Sequence, residues 1–176
     1  MNELERLING NREYLAAKTP SGNVSPEIRE FTSKNGQAPY AVIITCSDSR
    51  VIPEAIFSAG IGELFVIRSA GFTLDDAALG SIEYAVEHLG VKLVVVMGHT
   101  QCGAVETALK HEHVSGKLGA IIREISCAIK SETDPYLAVK LNVRNSCEVI
   151  ENAKVPAKIV GAIYHIDSGS VEFLNG

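Results

Sequence analysis

Two cysteines and one histidine are the residues of this chain best suited to chemistry. Cys46 opens the run Cys46-Ser47-Asp48-Ser49-Arg50, and His99 opens His99-Thr100-Gln101-Cys102-Gly103. Thiolates and neutral imidazole are donors that zinc takes, and three of them leave a tetrahedral ion one open position. An open position marks a catalytic site rather than a structural one. Asp48 stands two residues after Cys46, within reach of that position. Arg50 stands where a guanidinium can fork around the carboxylate, fixing its direction and keeping it ionised.

The elements around these residues have to bring Cys46 to the other two. Each pentapeptide follows a β-like run, Ala41-Val42-Ile43-Ile44-Thr45 for the first and Leu93-Val94-Val95-Val96-Met97 for the second. The donors are therefore expected on two short loops at the ends of buried strands. Strands are read at 40–45, 64–67 and 92–97, with a final pair at 158–166 and 170–174 joined around Asp167-Ser168-Gly169. Helices are read at 3–17, after Ser25-Pro26, at 52–57, 75–89, 103–111, 117–130 and 135–151. Asn9-Gly10-Asn11 weakens the middle of the first helix and predicts a possible break there.

Alternating strands and helices predict a three-layer α/β/α fold with a central, mostly parallel sheet. In such sheets ligands bind at the carboxyl ends of strands, where both motifs fall. The chain reads as one domain over 1–176, with a helical arm and loop over 1–36 and a catalytic core over 37–176. Leu4, Leu7, Ile8 and Leu15 make the arm amphipathic, with no evident partner in its own chain.

Four blocks carry a resemblance to the β-class carbonic anhydrases. They are Cys46-Ser47-Asp48-Ser49-Arg50, the run Leu64-Phe65-Val66-Ile67-Arg68-Ser69-Ala70-Gly71, the run Ser81-Ile82-Glu83-Tyr84-Ala85-Val86, and Gly98-His99-x-x-Cys102-Gly103. They run in family order over roughly 40% of the chain, from Gln37 to about Val105. The resemblance implies one zinc per chain on Cys46, His99 and Cys102, and reversible hydration of CO2 to bicarbonate by a zinc-bound hydroxide. It implies that Asp48 accepts a hydrogen bond from that hydroxide, or ligates the metal in an inactive closed form, and that Arg50 pairs with it. It places Gln37 as a donor to substrate oxygen, and Phe65, Ala70 and Tyr84 as pocket residues reaching a neighbouring protomer's zinc. Gly103, opening a helix, would present a backbone N–H to the same species. It implies a homodimer or higher homo-oligomer in which the amino-terminal arm wraps the neighbour.

The chain departs from the family in two places. Phe72 stands where a polar residue is usual and is expected close to the pocket, which keeps carbonyl sulfide or carbon disulfide hydrolysis open as an alternative activity. Members with an inhibitory bicarbonate pocket usually carry Trp three residues before the first zinc cysteine. This chain has no tryptophan and carries Ile43 there, so an open, Arg50-paired Asp48 is expected.

Composition excludes other classes. With 46% hydrophobic residues over 176 positions the chain folds around a core. A net charge of −5 without a Lys/Arg cluster disfavours nucleic acid and anionic membranes as partners. No apolar run approaches the ~18 residues of a membrane span. The acidic Met1-Asn2-Glu3-Leu4-Glu5-Arg6 is unlike a signal peptide, so a cytoplasmic location is expected. There four cysteines are no disulfide framework, and Cys127 and Cys147 read as core packing. His111-Glu112-His113 reads as a solvated helix end rather than a proton shuttle, and Gly60-x-Gly62 is too short for a nucleotide loop. A non-catalytic zinc or redox-sensing module is the alternative from another class. It has no need of Asp48, Arg50 and Gln37.

Overall fold

The computed structural model describes residues 1–17, 19, 22–111 and 114–174. Five strands form one sheet: β1 (Ala41–Cys46), β2 (Leu64–Ser69), β3 (Leu93–His99), β4 (Lys158–Tyr164) and β5 (Val171–Phe173). Their order is β2-β1-β3-β4-β5, with the first four parallel and β5 antiparallel to β4. Every residue of β1 and β3 is buried. Both faces of these central strands are covered, which is why their sequences run apolar without alternation.

The two faces are covered unequally. Four helices pack on one: α4 (Asp76–Glu87), α5 (Gly103–Leu109), α6 (Gly116–Ile129) and α7 (Pro135–Asn152). They enclose Val42, Ile44, Cys46, Val94 and Val96 in the larger core. The other face holds Ala41, Ile43, Val95 and Met97 under α1 (Glu3–Ala16) and the short α3 (Pro53–Ile56). The remaining helix, α2 (Pro26–Asn35), starts from a Ser25 cap with Pro26 at its first position and buries none of its residues.

Helix α1 corrects the expectation of an arm without a partner in its own chain. Leu7 is fully buried against the second face of the sheet, a contribution of about 2 kcal/mol. The Asn9-Gly10-Asn11 stretch does not break the helix; it docks it. A Cβ on Gly10 would lie 2.0 Å from the Phe57 carbonyl oxygen, so only glycine lets the backbones approach. Buried Asn11 donates to the carbonyls of Ile56 and Gly169 and accepts from the Val171 N–H. The residues that cost helix propensity are the ones that tie α1 to α3 and to the β4–β5 turn.

Two smaller differences follow from packing. Cys46 and His99 are the last residues of β1 and β3 rather than loop residues. Cys127 is exposed, because the inward stripe of α6 is Ile122, Ile125 and Ile129 and position 127 falls off it. Cys147, by contrast, packs half-buried against the larger core as expected, and burial pushes its thiol up to about 12. His111 is exposed, while Glu112 and His113 lie outside the described residues.

Candidate metal centre and its arginine-held carboxylate

The sheet register brings the three donors together. Thr45 pairs with Met97, so β1 and β3 deliver Cys46 and His99 to the same end of the sheet. Chain reversal after β3 returns Cys102 as the cap residue of α5. The Thr100 N–H donates to the Tyr164 carbonyl and the Ile166 N–H to the Thr100 hydroxyl, anchoring that reversal on β4. The donor atoms of Cys46, His99 and Cys102 all lie within 4.8 Å of one another, and all three residues are buried.

The imidazole is oriented for ligation. His99 Nδ1 lies 2.8 Å from the Thr100 carbonyl oxygen, which can only accept, so Nδ1 carries the proton and donates. That leaves the Nε2 lone pair free, and Nε2 is buried with no hydrogen-bond partner. A buried, unpartnered nitrogen costs free energy unless something binds it. A backbone carbonyl fixing the far nitrogen is the usual support of a metal-ligating histidine.

The sulfurs are prepared in the same way. The nearby Cys102 thiol, with His99 and the Gly71 N–H, holds the Cys46 thiol well below its ordinary range. That N–H lies 3.4 Å from the Cys46 Sγ. Interaction with Cys46, together with burial, pushes Cys102 up. A divalent cation bound by these sulfurs would displace their protons. Gly71 sits at φ +65°, and a Cβ there would meet Ile125 Cδ1 at 2.6 Å. Buried Asn142 on α7 donates to the Gly71 carbonyl at 3.0 Å and steadies the turn from behind.

Beside this buried trio stands an ion pair at the rim. Arg50 forks around Asp48, with Nε 3.0 Å from Oδ1 and Nη2 2.8 Å from Oδ2, and the Arg50 N–H adds a bond of 2.9 Å to Oδ1. These bonds hold the Asp48 carboxyl well below the usual carboxylate range. Arg50 also donates to the Gln101 carbonyl at 3.2 Å, tying the first motif to the second. Asp48 Oδ2 lies 4.0 Å from His99 Nε2, so the carboxylate faces the free nitrogen.

Of the remaining sequence-predicted residues, Ala70 and Gly103 lie at this end and Phe65, Tyr84 and Gln37 do not. Ala70 sits between Ser69, the register partner of Cys46, and Gly71. Gly103 is the first residue of α5, next to Cys102. Phe65 pairs with Val42, four residues before Cys46, which at ~3.3 Å per residue is ~13 Å down the strand. Tyr84 is exposed on α4 and packs against Phe65 in a tilted pair, 6.2 Å between ring centroids. Gln37 is exposed before the amino end of β1, at the opposite end of the sheet. Phe72 corrects the expectation of a pocket residue: it is fully buried in the larger core, with its ring beneath Gly98. The argument for a less polar substrate thereby loses its residue. Sequence reading missed Gln101, Asn142 and Gly71 as supports. Asn142 left a signal, a polar residue on the buried stripe Ala138, Val139, Val143 and Ile150 of α7.

A mostly parallel sheet carrying two thiols, an imidazole and an arginine-held carboxylate at the carboxyl ends of its strands defines an α/β protein with three donors positioned to hold a metal. Residues 41–171 match the carbonic anhydrase family model. A carbonic anhydrase of Mycolicibacterium smegmatis is 36% identical over 94% of this chain and 89% of its own length. Carbonic anhydrase 2 of Mycobacterium tuberculosis is 44% identical over 68% of this chain and 57% of its own. Among solved structures, a tetrameric β-carbonic anhydrase of Sordaria macrospora superposes with a TM-score of 0.76 at 28% identity, covering 85% of this chain and 88% of that one. The Coccomyxa β-carbonic anhydrase, solved with acetazolamide, superposes at 0.70 with 26% identity, covering 84% and 81%. The chain belongs to the β-class carbonic anhydrases, enzymes that interconvert CO2 and bicarbonate. Among the described residues, no helix is long and apolar enough to cross a membrane.

Proposed function

We propose that this chain hydrates CO2 reversibly with one zinc ion held by Cys46, His99 and Cys102. The unpartnered, buried Nε2 of His99, in a group whose three donor atoms lie within 4.8 Å of one another, is the observation that carries this reading. Zinc bound there supplies an acidified water as the nucleophile. Asp48, held by Arg50, receives a hydrogen bond from the attacking species and fixes its direction. Gly103 offers a first-turn N–H, which has no acceptor within its own helix. Ala70 borders the same space. Four free cysteines suit a reducing compartment, and we place the protein in the cytoplasm.

The working unit in this reading is a homodimer or a larger homo-oligomer. Gln37, Phe65 and Tyr84 lie too far from their own donors to touch substrate there, so they serve the site of a second copy. Edge strand β2 leaves Leu64, Phe65, Val66 and Ile67 only partly buried, and α2 exposes Phe31. A second copy would cover such surfaces. Stopped-flow CO2 hydration by the zinc-loaded protein, with mass from light scattering on the same sample, tests both parts. Catalysis by an assembly is expected; a fully active monomer would refute the shared site, and an inactive, zinc-loaded assembly would refute the activity.

A further inference from the structure

Arg68 stands out as an exposed guanidinium at the end of the otherwise apolar β2, and among the described residues it pairs with no carboxylate. Its Nε donates to the Cys46 carbonyl at 3.2 Å and its Nη2 to the Asp48 carbonyl at 2.8 Å. One planar group thus bridges the backbone on both sides of Ser47. The Ser47 N–H completes the clamp by donating to the Ser69 carbonyl at 2.9 Å, again on β2. The Asp48 carbonyl also accepts from the Val51 N–H at 3.0 Å, so the backbone of the turn from 46 to 51 hangs on β2 and on itself, with Gln101 reached only through the Arg50 side chain.

The clamp matters because of where the Asp48 carboxylate lies. At 4.0 Å from His99 Nε2 it is near enough to compete for the position a substrate or anion would take on a bound metal. Arg50 opposes that from the side-chain end, but Arg50 belongs to the same turn and is held outside it only at the Gln101 loop. Arg68 is on a strand, fixed by the register Thr45↔Arg68. We infer that Arg68 is a positioning residue that holds the Cys46–Asp48 backbone against β2, keeping Asp48 on Arg50 and off the metal. A lysine keeps the charge but has no planar fork, so it makes one of the two bonds at a time.

The inference rests on the metal site proposed above, and the test separates the two. In metal-free protein, amide hydrogen exchange across 47–51 reads the clamp alone. Arg68→Met is expected to speed exchange there about tenfold or more, with β1 and β3 unchanged. Unchanged exchange would overturn the clamp, whatever binds at the cysteines. In protein loaded with cobalt(II), thiocyanate binding is read from the visible spectrum. Wild type is expected to bind, Arg68→Met to bind at least tenfold more weakly at equal cobalt content, and Arg68→Lys to fall on the side of Arg68→Met. The double variant Arg68→Met/Asp48→Asn is expected to recover binding, because the amide is a poor ligand for the metal. Wild-type affinity in Arg68→Met would overturn the inference. So would a double variant that stays closed to thiocyanate, since the loss would then come from general distortion. A wild-type protein that takes up no cobalt, yet shows the exchange difference, would reject the metal site and leave the clamp standing.

Discussion

Cys46 and Asp48 are two residues apart, yet they belong to different kinds of structure. Cys46 is 7% exposed, ends a central strand and is fixed by the register of the sheet. The Asp48 side chain is 18% exposed and its partner Arg50 47%, and both are fixed by hydrogen bonds within and around one turn. The buried half is held by what stabilises the protein as a whole. The rim half is held by a few charge-assisted bonds that contribute little to global stability. Damage to the buried half should therefore appear in metal content and stability, and damage to the rim in rate.

The largest expected effect is on the rim. Asp48→Asn and Arg50→Ala should each keep their zinc and their melting temperature within a few degrees, while kcat for CO2 hydration falls by ~10²-fold or more. Stopped-flow kinetics beside metal analysis checks this; near wild-type rates in either variant would remove the pair from the chemistry.

The next effect belongs to the buried half. Gly71→Ala puts a Cβ at φ +65° and against Ile125, and disturbs the amide that donates to Cys46. A loss of about 2 kcal/mol in unfolding free energy is expected, measured by urea denaturation. A stability equal to wild type would mean that the turn relaxes freely and that the buried half is less rigid than described.

pH separates the halves again. The folded Asp48 is held below its unfolded range, so the pair's contribution to stability is complete above about pH 4 and is lost as pH falls. Asp48 thus stays ionised through the neutral range and adds no step to the rate there. Two thiolates cancel the charge of a zinc ion, so its water should ionise late, and the rate should climb between about pH 7 and 9. A profile already flat across that interval would contradict the two-thiolate argument.

The smallest effect is a control on cysteine itself. Cys127→Ser, on the exposed side of α6, should change stability by less than about 0.5 kcal/mol and leave zinc and rate alone. A clear loss of metal in this variant would blur the contrast between buried and surface thiols.

Much of the site was readable from local spacing. His99 and Cys102 lie three apart after an apolar run, and Cys46, Asp48 and Arg50 fall within five residues after another. A parallel sheet then brings the two runs side by side, which alternating strands and helices already imply. Features that depend on distant contacts were not readable. Asn9-Gly10-Asn11 looks like a weak point until the Phe57 backbone and the β4–β5 turn are present to receive it. Phe72 looks like a pocket residue from its place in the chain, but the turn at Gly71 rolls it under Gly98 into the core. Arg68 reads only as part of a matching block, because its partners are carbonyl groups, which leave no trace in side-chain identity.

The central claim is that the buried trio holds the metal and the rim pair does not. Zinc per chain, measured by elemental analysis on purified wild type, Cys102→Ala and Asp48→Asn in parallel, tests it most directly. The account predicts one zinc in wild type, almost none in Cys102→Ala and one in Asp48→Asn. Full zinc in Cys102→Ala, or loss of zinc in Asp48→Asn, would contradict it.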